Sequence, residues 1–71
     1  MHSQHLIDTI KARRDNLGVT QDTLADLSDV GLRTLKQFES GKGNPTLETL
    51  TKLGNALGME LTFIVKDVNN K

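Results

Sequence analysis

The sequence predicts an all-α domain: four short helices, compactly packed, followed by one C-terminal β-strand that pairs in a homodimer. Three observations predict it. Apolar residues recur every three or four positions in four successive segments, Gly18, Gly41 and Gly58 stand where such segments stop, and the period changes to two only near the end of the chain. The expected organisation is a helical domain over 1–58, with helices at about 3–17, 20–28, 31–40 and 46–57, a dimerisation strand over 59–66 and a frayed tail over 67–71.

In the first helix Leu6, Ile10 and Leu17, with Ile7 alongside, form the inner stripe, and Gly18 suits a left-handed stop. Thr20 caps the second helix with its hydroxyl. Leu24, Leu27 and Ser28 make its expected inner face, while Asp22, Asp26 and Asp29 recur on the opposite side. The period breaks around Asp29-Val30-Gly31. Leu35 and Phe38 then turn inward in the third helix, leaving Arg33, Lys36, Gln37 and Ser40 outward. After the loop Gly43-Asn44-Pro45, Thr46 caps a fourth helix whose Leu47, Leu50, Leu53 and Leu57 are strongly periodic.

From Met59 to Lys66 the pattern is that of a strand: Met59, Leu61, Phe63 and Val65 alternate with Glu60, Thr62, Ile64 and Lys66. A lone strand cannot satisfy its own backbone, and no other segment reads as one. Its expected partner is therefore the same segment of a second copy, antiparallel across a two-fold axis, with Ile64 partly buried there.

At 71 residues the chain supports one core, and self-association is a natural source of extra buried surface. Aromatic residues are only 3% of it, so the core must be built from Leu, Ile and Val. The chain has no cysteine, which excludes disulfides and thiolate zinc sites and makes the cytoplasm the default compartment. Neither a membrane-spanning apolar run nor the pattern of a signal peptide occurs. His2 and His5, without a third ligand, read as ordinary polar residues, so no metal is expected. The stretch "GKGNP" lacks the spacing of a nucleotide loop, and no nucleophile, base and orienting acid can be assembled. The expectation is a protein without catalysis or cofactor. Equal numbers of basic and acidic residues, 9 each, leave only the distribution of charge to speak about nucleic acid.

That distribution is uneven. Two helices joined by a tight turn, the first acidic outside and the second basic outside, suit the arrangement that lays a recognition helix in the DNA major groove. The first would cross the backbone with its N-terminal end, so its aspartates can face water. Gln21 and the free N–H groups there would meet a phosphate. On the second, Arg33 can fork onto guanine and Gln37 onto adenine.

From about Leu6 to Leu61 the chain resembles the Xre/phage-repressor-like helix-turn-helix proteins, of lambda-repressor-like fold. The words that carry the resemblance are "TQDTLADLSDVGLRTLKQFESGKGNPTLETLTKLGNALG". With the trailing "MELTFIVK", the chain looks most like the HipB-type antitoxins within that family. The resemblance implies a dimeric repressor of double-stranded, two-fold symmetric operator DNA, associated with the nucleoid, and a HipA-type kinase toxin as a further partner. Position by position, it implies Gln21 and Thr34 on phosphate, Leu32 and Arg33 at base edges, Lys36 and Gln37 further along the groove, and Lys42 and Asn44 on the far backbone.

Asp29 departs from the glycine usual in the turn, and Gly31 from the serine that usually caps the third helix; both residue types tolerate the conformations required. Spacing from Ile10 places Arg14 on the buried stripe of the first helix, where a guanidinium needs a partner. Glu39 lies on the inner face of the third helix, and similar proteins pair these two positions. An Arg14–Glu39 salt bridge is expected.

Bland readings stand beside these. Arg33 and Lys36 can be solvated charges, Gln37 a solvent-facing amide, Leu32 a residue packed at the helix start, and Lys42 and Asn44 turn formers. Thr20 and Thr46 read as helix caps. At the level of function, a regulator without a toxin partner and a protein-binding adaptor without DNA contact remain the alternatives.

Overall fold

The computed structural model describes residues 4–66. The first three residues, with His2 and the expected helix start at Ser3, and the expected frayed tail at 67–71 lie outside the described residues. Four helices follow one another: α1 (Gln4–Asn16), α2 (Gln21–Ser28), α3 (Leu32–Glu39) and α4 (Leu47–Ala56). α2 packs on both α3 and α4, and α1 packs on α3.

Local chemistry sets each boundary. Thr20 and Thr46 accept hydrogen bonds from the N–H groups of Thr23 and Thr49, satisfying donors that the first turns of α2 and α4 leave open. Asp29 ends α2 in the left-handed region, at φ 60° and ψ 31°, and its N–H donates to the Ala25 carbonyl. Gly31 opens α3 with no side-chain cap. At the end of α4, Gly58 turns the chain at φ 74°, and Arg13 Nε donates to the Leu57 carbonyl at 3.0 Å, placing a cation at that helix's negative end.

The core is aliphatic with one aromatic. Leu24, Leu35, Leu53 and Leu57 are fully buried, and Ile7, Ile10, Ala25, Val30 and Phe38 close around them. Each such large side chain contributes about 1.5–3 kcal/mol by leaving water. Ser28, also buried, donates to the Leu24 carbonyl at 2.6 Å and accepts from the Val30 N–H at 3.3 Å, so the turn after α2 carries its own polar closure.

Three leucines depart from the faces expected of them. Leu27 is exposed, and Ala25 takes its place inside. At about 100° per residue, the direction shared by Leu24, Ala25 and Ser28 lies about 100° from Leu27. Leu17 is exposed because α1 stops at Asn16, and Val19 packs on the core instead. Leu47 is exposed in the first turn of α4, at the margin of the stripe that Leu50, Leu53 and Leu57 share.

The alternating segment 59–66 forms no strand, and the described residues contain none. A ladder needs a second strand, which four helices cannot supply. Met59 still belongs to the domain: its N–H donates to the Gly54 carbonyl at 2.8 Å and its side chain packs on the core. Beyond it, Phe63, Ile64 and Val65 stand exposed, Phe63 completely.

Candidate nucleic-acid interface

The third helix sorts its residues sharply. Leu35, Phe38 and Glu39 are buried, so Arg33, Thr34, Lys36 and Gln37, about 100–200° around the axis, are exposed. Leu32 is half-buried at the start, packed against the core yet open on one side. A shallow depression along this face is lined by Leu32, Arg33, Lys36, Gln37, Ser40 and Lys42. A second, adjoining one is lined by Thr34, Gln37, Phe38, Lys42, Asn44, Pro45 and Thr49. Gln37 and Lys42 border both.

The loop is held where it is by the end of α3. The Lys42 N–H donates to the Gln37 carbonyl at 2.9 Å and the Gly41 N–H to the Phe38 carbonyl at 3.1 Å, with Gly41 at φ 83°, a turn that L-residues other than glycine enter at a cost. This closure brings Lys42 back beside Gln37 and adds its charge to those of Arg33 and Lys36. The result is one exposed cationic strip formed by Arg33, Lys36 and Lys42.

Leu32 marks a boundary of charge. On its other side lies a hollow lined by Asp22, Asp26 and Asp29 together with Ala25, Val30 and Gly31. Acidic residues near the N-terminal end of α3 suit its dipole, and they confine the positive potential to the opposite side of the helix.

Gln21 is placed differently from the other residues considered for DNA contact. Half-buried at the start of α2, it donates through Nε2 to Glu39 Oε1 at 3.0 Å. The same carboxylate receives Arg14 Nε at 2.9 Å on Oε2 and Arg14 Nη2 at 3.0 Å on Oε1, while Arg14 Nη1 donates to the Val19 carbonyl at 2.9 Å. The hydrogen bond to Glu39 raises the Arg14 pKa above its ordinary value, with the carboxylate's charge adding to it and burial opposing it. No buried side-chain nitrogen or oxygen among the described residues lacks a partner.

Ser40 and Thr49, to which spacing assigned no contact, also border the two depressions. Thr49 could have been found from its place three residues after the Thr46 cap, in a helix's first turn beside the loop. Ser40 donates its hydroxyl to the Gln37 carbonyl at 3.0 Å. No group of three or more potential metal-ligating side chains occurs among the described residues, and none of the described helices is long and apolar enough to cross a membrane.

Comparison with known proteins gives the same arrangement a context. Residues 10–64 match the helix-turn-helix family. The chain is 36% identical over 59 residues, 83% of its length, to the SPbeta prophage-derived uncharacterized HTH-type transcriptional regulator YonR of Bacillus subtilis, covering 55% of that protein. It is 38% identical over 65 residues, 92% of its length, to an uncharacterized HTH-type transcriptional regulator of Haemophilus influenzae, covering 66% of it. Over 49 residues, 69% of its length, it is 37% identical to the cryptic phage CTXphi transcriptional repressor RstR of Vibrio cholerae, covering 44% of it. The chain thus spans between 44% and 66% of the length of these curated relatives. No solved structure matches it significantly.

Proposed function

This chain belongs to the Xre-like helix-turn-helix family, and we propose that it is a sequence-specific DNA-binding transcriptional repressor that acts as a two-fold symmetric homodimer. The observation that carries the reading is the face of α3. Arg33, Lys36 and Gln37 are exposed together on one helix, extended by Lys42 and Asn44 of the following loop, while the acidic residues of α2 lie on the other side of Leu32.

In the major groove, Arg33 presents a planar fork to guanine and Gln37 a donor and acceptor to adenine. Leu32 offers its open side to a thymine methyl. Lys36 runs further along the groove, Thr34 and the start of α2 with Gln21 meet phosphates on one side, and Lys42 and Asn44 meet them on the other. The alternating segment 59–66 pairs with its copy through Met59, Leu61, Phe63, Ile64 and Val65, and the dimer sets half-sites about one helical turn, or a small multiple, apart.

The test is titration onto duplex DNA from directly upstream of the chain's own gene, against a scrambled duplex, at two salt concentrations. Tight, selective and salt-dependent binding is expected; salt-insensitive failure to bind either duplex would refute the reading and favour a protein-binding adaptor.

The narrower role of antitoxin to a HipA-type kinase rests on the wording of the third helix, the following loop and the C-terminal segment. The acidic face of α2 or the outer surface of the dimer would receive such a partner. Two of the three relatives are named as a prophage-derived regulator and a phage repressor, which supports a regulator without a toxin partner. A kinase-like reading frame beside the gene would favour the antitoxin, and its absence would remove it.

A further inference from the structure

Glu39 is the last residue of α3, and its side chain is almost wholly buried, yet it receives three donors from two other helices. Arg14 alone satisfies a structural role: its Nε and Nη2 make the two parallel bonds of a bidentate pair. The third donor, Gln21 Nε2 at 3.0 Å, is surplus to that pairing. We infer that Glu39 is a positioning residue for DNA binding, which holds the Gln21 amide and the start of α2 ready for a phosphate through the hydrogen bond it accepts from Gln21. The inference rests on the DNA-binding reading above.

The chemistry of the amide makes the tether useful. A primary amide has two N–H groups and a carbonyl. One N–H goes to Glu39, which leaves the other for a ligand, and of the backbone N–H groups that open α2's first turn only that of Thr23 is taken by the Thr20 cap. An untethered glutamine loses its rotamer freedom when it binds, a cost equivalent to about tenfold in affinity. A charge-assisted bond to a carboxylate that is itself locked by Arg14 orders the side chain before DNA arrives.

The location of Glu39 extends the consequence. Because the same carboxylate belongs to α3 and bonds to α1 and α2, it fixes where α2 begins relative to the helix that carries Arg33 and Gln37. A phosphate contact at Gln21 and base contacts along α3 then act in one register, and a shift of either would weaken both.

A double-mutant cycle tests this. Its four proteins are the wild type, Gln21→Met, the paired replacement Arg14→Met/Glu39→Leu, and all three substitutions together. Replacing both ions at once leaves no stranded charge. Each is titrated, below the onset of its own thermal unfolding, onto the upstream duplex and onto a random duplex of equal length. Gln21→Met should weaken binding about tenfold in the wild-type background and less than twofold in the paired replacement. An equal loss in both backgrounds overturns the inference while leaving the DNA-binding reading intact; a wild type that binds neither duplex removes the reading itself. Nitrogen-15 relaxation of the Gln21 side-chain amide in the free wild-type protein is a second measurement that needs neither DNA nor a variant. An amide as ordered as the backbone is expected, and a freely rotating one overturns the tether.

Discussion

Arg14 and Glu39, 25 residues apart in the chain, meet through two parallel hydrogen bonds of 2.9 and 3.0 Å at the junction of α1 and α3. The carboxylate side chain is only 4% exposed and the guanidinium 14%, so neither ion retains much water. Glu39→Ala would strand the guanidinium and is expected to cost about 3–5 kcal/mol, lowering the melting temperature by more than about 10 °C. Thermal unfolding followed by circular dichroism checks it; an unchanged midpoint would show that the pair carries no stability. Because the Arg14 pKa is raised, its stabilisation is complete below the ordinary arginine value and is lost only as pH rises through the raised one. Neutral and mildly alkaline pH should therefore leave this contribution untouched.

Asp29 occupies the left-handed region in which glycine is at ease. Asp29→Gly removes that steric cost but frees the unfolded chain, so a gain of up to about 1 kcal/mol is expected. Asp29→Val, branched at Cβ, should lose about 1–2 kcal/mol. Urea denaturation of the two variants reads the difference, and equal midpoints would mean that the turn relaxes at no cost.

Leu24 and Leu27 lie three residues apart on one helix with opposite fates, 0% and 62% exposed. Leu24→Ala should destabilise by about 2–5 kcal/mol, whereas Leu27→Ala should change stability by less than about 0.5 kcal/mol. A large loss at Leu27 in dilute protein would indicate that a partner or second copy covers it.

Arg33 and Lys42 separate base reading from phosphate attraction. Arg33→Ala should weaken binding to the upstream duplex by about 1–3 kcal/mol and affect a scrambled duplex less. Lys42→Ala should weaken both, reducing the slope of log affinity against log salt by about one unit. Equal loss on both duplexes for Arg33→Ala would remove it from the residues that read sequence.

Truncation after Glu60 keeps Met59 on the core and removes the exposed Phe63, Ile64 and Val65. Sedimentation at micromolar concentration should show the full chain as a dimer and the truncated one as a monomer. A dimer that survives truncation would assign the interface to the helices.

Periodicity and capping chemistry were enough to read four helices from the chain, because those signals are local. Thr20 and Thr46 bond N–H groups three residues ahead, and the turn at Asp29 needs only its own dihedral angles. The outward set on the third helix, Arg33, Lys36 and Gln37, is legible for the same reason: once Leu35 and Phe38 turn inward, helical geometry leaves these residues no other direction.

Spacing alone could not say which leucine of a broad stripe is buried. Leu27, Leu17 and Leu47 are apolar and regularly placed, yet the core axis passes closer to Ala25, Val19 and Leu50, and that axis depends on how helices cross. Nor could spacing reveal that Gln21 meets Glu39, a contact across 18 positions that exists because the packing of α2 on α3 brings the start of one helix to the end of the other. The segment 59–66 shows the same limit from the other side: its alternation is plain, but a strand is a relation between two paired segments, and the described residues offer it no second one.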